Sequence, residues 1–227
     1  MDLLELQKKL GYSFRDPELL RTALTHSSYR REHREVKSDN ERLEFLGDGV
    51  LDAVIGKKLY ELLKREPEGT LTKLRSLIVC ERSLAAVGRE RGINLAIRFG
   101  TGEMHTGGAS KDSIICDAVE AVIGAVFIDS DYETCEGFVL DLLDGMIKKA
   151  INGDIFMDYK SEFQEIVQAD GCREISYITD REEGPDHSKT FYVHIEVDGK
   201  NMGKGSGKTK KEAGQNAAKE AIGLLKR

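Results

Sequence analysis

Glu41, Glu44 and Asp48 fall within a nine-residue stretch, Asn40-Glu-Arg-Leu-Glu-Phe-Leu-Gly-Asp48, that lacks proline and is rich in helix formers. Leu43, Leu46 and Val50 recur at intervals of three and four, the spacing of one helix face. At i, i+3 and i+7 the three acids share a stripe, where each like-charged pair costs roughly a few tenths of a kcal/mol. A solvated acidic face, the alternative reading, relieves such repulsion with interleaved cations, and only Arg42 is present here. A second pair, Asp117 and Glu120, stands at i, i+3 in Asp-Ala-Val-Glu-Ala-Val-Ile-Gly-Ala-Val-Phe127. Apart from the two acids this segment is apolar, the mark of a buried helix. A buried carboxylate is costly unless a cation or hydrogen bonds meet it. Two such clusters facing each other make an oxygen-rich site suited to Mg²⁺.

Helical elements must position these acids. Asp16-Pro-Glu18 reads as a helix start, with an N-cap acid and proline in the first turn. Further helices are expected over 40–63, 70–88, 110–128 and 131–151, with 100–108, rich in Gly and Thr, as a loop. Asn152-Gly153-Asp154 breaks this texture. Beyond it, 159–168 reads as an amphipathic helix, whereas 174–179 and 190–197 alternate in the strand manner. Asp198-Gly199 is a tight hairpin turn, and 210–225 returns to helix with Ala213, Ala217, Ala218, Ile222 and Leu225 on its packed side. The expectation is therefore an all-α domain over 1–152, a linker over 153–157, and a small α+β domain of α-β-β-β-α order over 158–227.

With 227 residues, 40% hydrophobic and 33% charged, the chain has an ordinary globular composition. A net charge of −6 argues at first against nucleic acid, but the charge is unevenly spread. From Lys204 to Arg227 seven cations face two acids, leaving −11 on the preceding residues. Cys80, Cys116, Cys135 and Cys172 form no Cys-x-x-Cys pair and read as reduced thiols without a metal or disulfide role. No apolar run approaches the ~20 residues of a membrane span, and no signal core opens the chain, so a cytosolic compartment is expected.

The blocks together resemble a known family. Asn40 to Asp48 resembles the signature of ribonuclease III, the double-strand-specific endoribonucleases to which the Dicer and Drosha catalytic domains are related. Thr25-His-Ser-Ser-Tyr29, Glu68-Gly-Thr-Leu-Thr-Lys-Leu-Arg75 and Lys111-Asp-Ser-Ile-Ile-Cys-Asp-Ala-Val-Glu-Ala121 resemble its other catalytic-domain blocks. Tyr159-Lys-Ser-Glu-Phe-Gln-Glu165, Gly184-Pro-Asp-His187 and Gly207-Lys-Thr-Lys-Lys-Glu-Ala213 resemble its double-stranded-RNA-binding domain. Gly49 stands where serine is frequent and Cys116 where alanine is frequent.

The resemblance implies a Mg²⁺-dependent endoribonuclease, with Mn²⁺ as a substitute, that cuts double-stranded RNA and leaves 5′-phosphate and 3′-hydroxyl ends. Glu44, Asp117 and Glu120 become the expected metal ligands and Asp48 with Glu120 the catalytic pair. Glu41 and Glu68 form a second acidic tier, for which helix-start stability is the competing account. Phe45 resembles the family's dimer anchor, against the alternative of a core phenylalanine, and a homodimer with one centre per strand yields short 3′ overhangs. Processing of ribosomal-RNA precursors and some messenger RNAs is the implied role. The rival reading is a duplex-RNA-binding protein without cleavage, which a missing acid would signal, and all four are present. A-form RNA exposes phosphates and 2′-hydroxyls rather than base edges. Lys208, Lys210 and Lys211 begin the last helix, where the dipole disfavours cations unless phosphate is the partner. Ser161 and Gln164 would meet one minor groove and His187 the next, whereas His194, in an alternating strand, reads as structural.

Overall fold

Short acidic side chains decide where several helices begin. Asp2 accepts a hydrogen bond from the Glu5 N–H at 2.7 Å to open α1 (Leu3–Leu10). Asp16 accepts one from the Glu18 N–H at 2.9 Å to open α2 (Pro17–Ala23), with proline at the first helical position. There follow α3 (Ser27–Glu32), α4 (Glu41–Leu62), α5 (Glu68–Val79), α6 (Glu81–Arg91), α7 (Thr101–His105), α8 (Asp112–Asp129) and α9 (Tyr132–Asn152), the last capped by Asp131 on the Thr134 N–H. The computed structural model describes residues 1–153, 159–169, 171, 174–185 and 189–225, without the side chains of 161, 162, 165 and 169. Most of the expected linker, Cys172 and His187 lie outside the described residues. Two compact units divide the chain, 1–155 and 156–227.

Two expectations for the first unit need correction. The helix expected over 70–88 is two helices, because Cys80 is extended (φ −66°, ψ 153°). Ser83 Oγ donates to the Leu77 carbonyl at 2.7 Å and so satisfies a C-terminal carbonyl of α5 that the break exposes. The lapse in apolar spacing after Ile78 marked this break. The loop expected over 100–108 contains α7, held from outside: Glu32 accepts both the N–H and the hydroxyl of Thr101, at 2.8 and 2.9 Å, and Lys111 pairs with Glu103 at 2.7 Å. Tertiary partners create a helix there that local propensity does not.

At the centre of the unit runs α8, packed against α2, α4, α6 and α9. Ile115, Val119, Val122, Ile123 and Val126 are fully buried along it, each contributing roughly 1.5–3 kcal/mol by its removal from water. The contact with α4 is the closest. A Cβ on Gly47 would sit 1.8 Å from the Glu120 carbonyl oxygen, and one on Gly124 would sit 2.2 Å from that of Leu43. The two helices thus cross backbone against backbone, which only glycine at both positions permits. Among the described residues no helix is long and apolar enough to cross a membrane.

The second unit runs α10 (Tyr159–Ala169), β1 (Ile175–Glu183), β2 (Thr190–Val197), β3 (Lys200–Gly207) and α11 (Lys210–Leu225), with an antiparallel sheet in the order β1-β2-β3. Val193, Ile195 and Val197 alternate inward to meet Phe163 and Val167 of α10 and the alanines of α11. Asp198 (φ 51°) and Gly199 (φ 75°) are both left-handed, as a tight two-residue hairpin requires. β1 is three residues longer than expected and ends four residues later, at Glu183. A bulge between Thr179 and Arg181 shifts the register and hides the alternation from there on. His194 lies within β2 with Nδ1 2.6 Å from Asp180 and Nε2 3.2 Å from Glu196.

The crossing yields a paired prediction. Gly47→Ala should destabilise the first unit by about 3 kcal/mol or more, since backbone cannot yield to the added carbon. Gly49→Ala, two residues on with open space around it, should be neutral or stabilising by up to ~1 kcal/mol. Urea unfolding of both variants checks this, and equal effects would contradict the close crossing.

Candidate active site

Glu44 and Asp48 flank Gly47 on α4, and Asp117 and Glu120 precede Gly124 by two turns and one turn on α8. The glycine crossing therefore draws the four acids together. Each of the α4 acids acts on an α8 acid: Asp117 raises the proton affinity of Glu44, and Asp48 and Glu44 raise that of Glu120. Burial is the larger cause in each case, and it pushes Glu120 up to about 7. Asp117 is likewise raised by burial and by Glu81, with His26 pulling the other way. Asp48 is exposed, whereas the other three are half-buried.

A carboxylate at the far end of the same helix provides the contrast. Asp129, buried in its turn, accepts hydrogen bonds from the Tyr12 hydroxyl and from the N–H groups of Arg15 and Asp16, each at 2.8 Å. Burial alone would raise it, yet these donors hold it below the usual carboxylate range. Glu120 has no comparable set. Its one hydrogen bond among the described residues comes from the Cys116 thiol, Sγ to Oε1 at 3.6 Å. One ligand atom each from Cys116, Asp117 and Glu120 lies within 4.8 Å of the others. Half-buried oxygens that raise one another's proton affinity, without a set of donors like that around Asp129, fit a divalent cation as a partner.

Three neighbours escaped the sequence reading. Glu81 opens α6 beside α8; His26 caps α3, with Nδ1 2.8 Å from Ser28 Oγ and its ring against Phe99. Both are distant in sequence, and only packing brings them near Asp117. Cys116 was legible: one turn before Glu120, it shares the acids' side of α8. Of the second-tier acids, Glu41 is exposed and acts on Glu44. Glu68 opens α5, accepts a hydrogen bond from Thr72 Oγ1 at 2.8 Å and is not among the main charges acting on the cluster. Phe45 is 83% exposed, which removes the reading of it as a core residue.

A profile described as ribonuclease-III-like matches residues 16–146, and one for the double-stranded RNA binding motif matches 159–225. Ribonuclease 3 of Clostridium kluyveri is 47% identical over 222 residues, 98% of this chain and 91% of its own length. That of Clostridium beijerinckii is 45% identical over 223 residues, 98% and 96% respectively. The chain belongs to the ribonuclease III family. It is accordingly a hydrolase of the endoribonuclease class. The nuclease domain of ribonuclease III from Campylobacter jejuni, solved in a study of flexibility in its dimer-forming region, superposes with a TM-score of 0.60 at 38% identity. The superposition covers 63% of this chain and 97% of that one.

In the RNA-binding unit of this family member, Gln164 is exposed on α10. Ser161 falls on the same helix with its side chain outside the described residues, as His187 is entirely. Lys208, Lys210 and Lys211 are exposed at the start of α11. Lys208 Nζ donates to Thr190 Oγ1 at 3.3 Å and Lys210 Nζ pairs with Glu182 at 2.9 Å. Glu212 in the first turn accepts the Lys208 N–H at 2.7 Å, so the chain supplies one anion to this helix end itself.

The raised acids have a stability consequence. Each binds its proton more tightly folded than unfolded, so the contribution of these acids to stability is largest at low pH. It falls as pH rises from the ordinary range near 4.5, through about 7 for Glu120. In EDTA at pH 8, Glu120→Gln should therefore raise stability by about 1–2 kcal/mol, the shift being discounted for partial exposure. At pH 4 the gain should vanish. Urea unfolding at the two pH values reads this out, and a variant weaker than the parent at pH 8 would contradict it.

Proposed function

We propose that this protein hydrolyses double-stranded RNA with a divalent cation, Mg²⁺ or in its place Mn²⁺, held by Glu44, Asp117 and Glu120. What carries the reading is the meeting of the α4 and α8 acids at the Gly47–Gly124 crossing, with proton affinities raised first by burial and then by neighbouring acids. When bound, a divalent cation would offset charge on the scissile phosphate and favour ionisation of the attacking water. Asp48 and Glu120 orient that water by accepting its hydrogen bonds. Glu120 Oε1, already bonded to the Cys116 thiol, sits in the part of the cluster whose proton affinity is poised near neutrality. Attack at phosphorus breaks the bond to the 3′ oxygen, leaving a 5′-phosphate and a 3′-hydroxyl.

The second unit would deliver the duplex. The exposed cations of α11 and Gln164 of α10 suit phosphates and 2′-hydroxyls, a recognition of A-form shape rather than base sequence. Ser161 and His187 belong to the same proposed surface by the family's pattern. Glu41 and Glu68 remain proposed as outer acids toward the bound strand. An 83%-exposed phenylalanine between two acids of the site supports a homodimer in which Phe45 seats in the partner subunit. Two centres then serve the two strands and leave short 3′ overhangs. Processing of ribosomal-RNA precursors and messenger RNAs in the cytosol is the cellular role that this activity fits.

On a perfect RNA duplex the protein should cut with Mg²⁺ and not in EDTA. Asp48→Asn and Glu120→Gln should bind the duplex as the parent does while cleavage falls about 10²-fold or more. Binding without cleavage by the parent protein would favour the rival, a duplex-RNA-binding protein that does not cut. Phe45→Ala should convert the dimer to monomer in sedimentation velocity while α4 keeps its helicity, and an unchanged dimer would remove Phe45 from the interface.

A further inference from the structure

Cys116 differs in kind from every other donor around the acidic cluster. It stands on α8 immediately before Asp117 and one turn before Glu120, and its side chain is only 7% exposed. Its sulfur contacts Glu120 Oε1 at 3.6 Å, and sulfur and carboxylate oxygens lie within 4.8 Å of one another. Cys135, on α9, is buried elsewhere with its thiol toward the Ile123 carbonyl at 3.8 Å, and Cys80 is exposed at the α5–α6 break. Hard cations such as Mg²⁺ take oxygen ligands and leave a thiol alone, whereas thiolate is the soft donor that selects Zn²⁺ and its heavier congener Cd²⁺. With Mg²⁺ the Cys116 S–H stays a hydrogen-bond donor to Glu120.

We propose that Cys116 turns this acidic site into a mixed sulfur–oxygen trap for thiophilic divalent cations. Zn²⁺ or Cd²⁺ binds Cys116 Sγ together with Asp117 and Glu120 and excludes Mg²⁺. As the sulfur–metal bond forms, the S–H bond breaks heterolytically. Its electron pair stays on sulfur, the proton passes to solvent, and no oxidant or reductant is needed. Exclusion of Mg²⁺ rests on the reading that the same acids hold that ion; capture of the softer ion does not.

Cd²⁺ is the probe, because a cadmium–thiolate bond absorbs in the ultraviolet by charge transfer and Mg²⁺ gives no such signal. Titration of the full chain with Cd²⁺ at pH 8 should develop this band to saturation at one equivalent. The difference between the parent and Cys116→Ala should account for that equivalent and for one extra proton released, measured by pH-stat. Asp117→Asn should weaken the Cys116-dependent band at least tenfold. Added Mg²⁺ should shift the parent titration to higher Cd²⁺. A band that survives intact in Cys116→Ala would overturn the proposal, because the other thiols would then account for it. A band indifferent to Asp117→Asn would overturn it too, by removing the oxygen half of the trap. Should Cys116→Ala fail to fold, Cys116→Ser gives the same readout, since a hydroxyl forms no such band. Duplex cleavage in Mg²⁺ alone tests the nuclease reading separately, so either can fail without the other.

Discussion

Two glycines, Gly47 on α4 and Gly124 on α8, let the helices cross with backbone touching backbone, and the rest of the first unit is organised around that approach. A side chain at either position would put carbon within about 2 Å of a carbonyl oxygen of the other helix. At ordinary interaxial distances, 8–10 Å, the carboxylates of α4 would act less strongly on Glu120 than they do here. Glycine within a helix costs ~1 kcal/mol relative to alanine. Here that cost accompanies a geometry that no other residue allows.

The approach creates an electrostatic problem that the protein itself does not resolve. Along one helix, Asp129 and Glu120 are treated in opposite ways. The first is met by three donors and held ionised; the second is crowded by other acids and held near neutrality. Both are on a helix with a fully apolar core face, so burial alone does not separate them. The difference is the presence of donors. A fold that satisfies one buried carboxylate so completely and leaves four others mutually repelling gives the second group the character of a candidate cation site, with the Cys116 thiol beside Glu120.

The second unit uses different means. Its core is small, with Phe163, three valine and isoleucine residues of β2, and alanines of α11. Alanine at 213, 217, 218 and 221 keeps α11 close against the sheet, and the polar groups are left to the helix ends and outer strand faces. There Lys210 already pairs with Glu182, so a phosphate must compete with an internal carboxylate. Such exposed pairs are worth little, typically under ~1 kcal/mol, and yield readily to a polyanion.

Residue type and spacing alone determined much of this. Acidic N-caps, a 3.6-residue period and an Asp-Gly turn depend on neighbours within a few positions, so α2, α4, α8, α9 and the β2–β3 hairpin were readable without coordinates. The four acids were readable for the same reason: charge at helical spacing on apolar segments is a local contradiction visible in the string. Tertiary structure decided what depends on partners far away in sequence. The α5–α6 break at Cys80, α7 held by Glu32, and the β1 bulge at Asp180 each require groups that no local window contains. Exposure of Phe45 was of this kind too, since an apolar residue on a helix says nothing of which neighbour covers it. So was the arrival of Glu81 and His26 beside Asp117. Hydrogen bonds along a helix join residues four apart, but the charges acting on a buried carboxylate come from wherever packing brings them, and packing is a property of the whole chain.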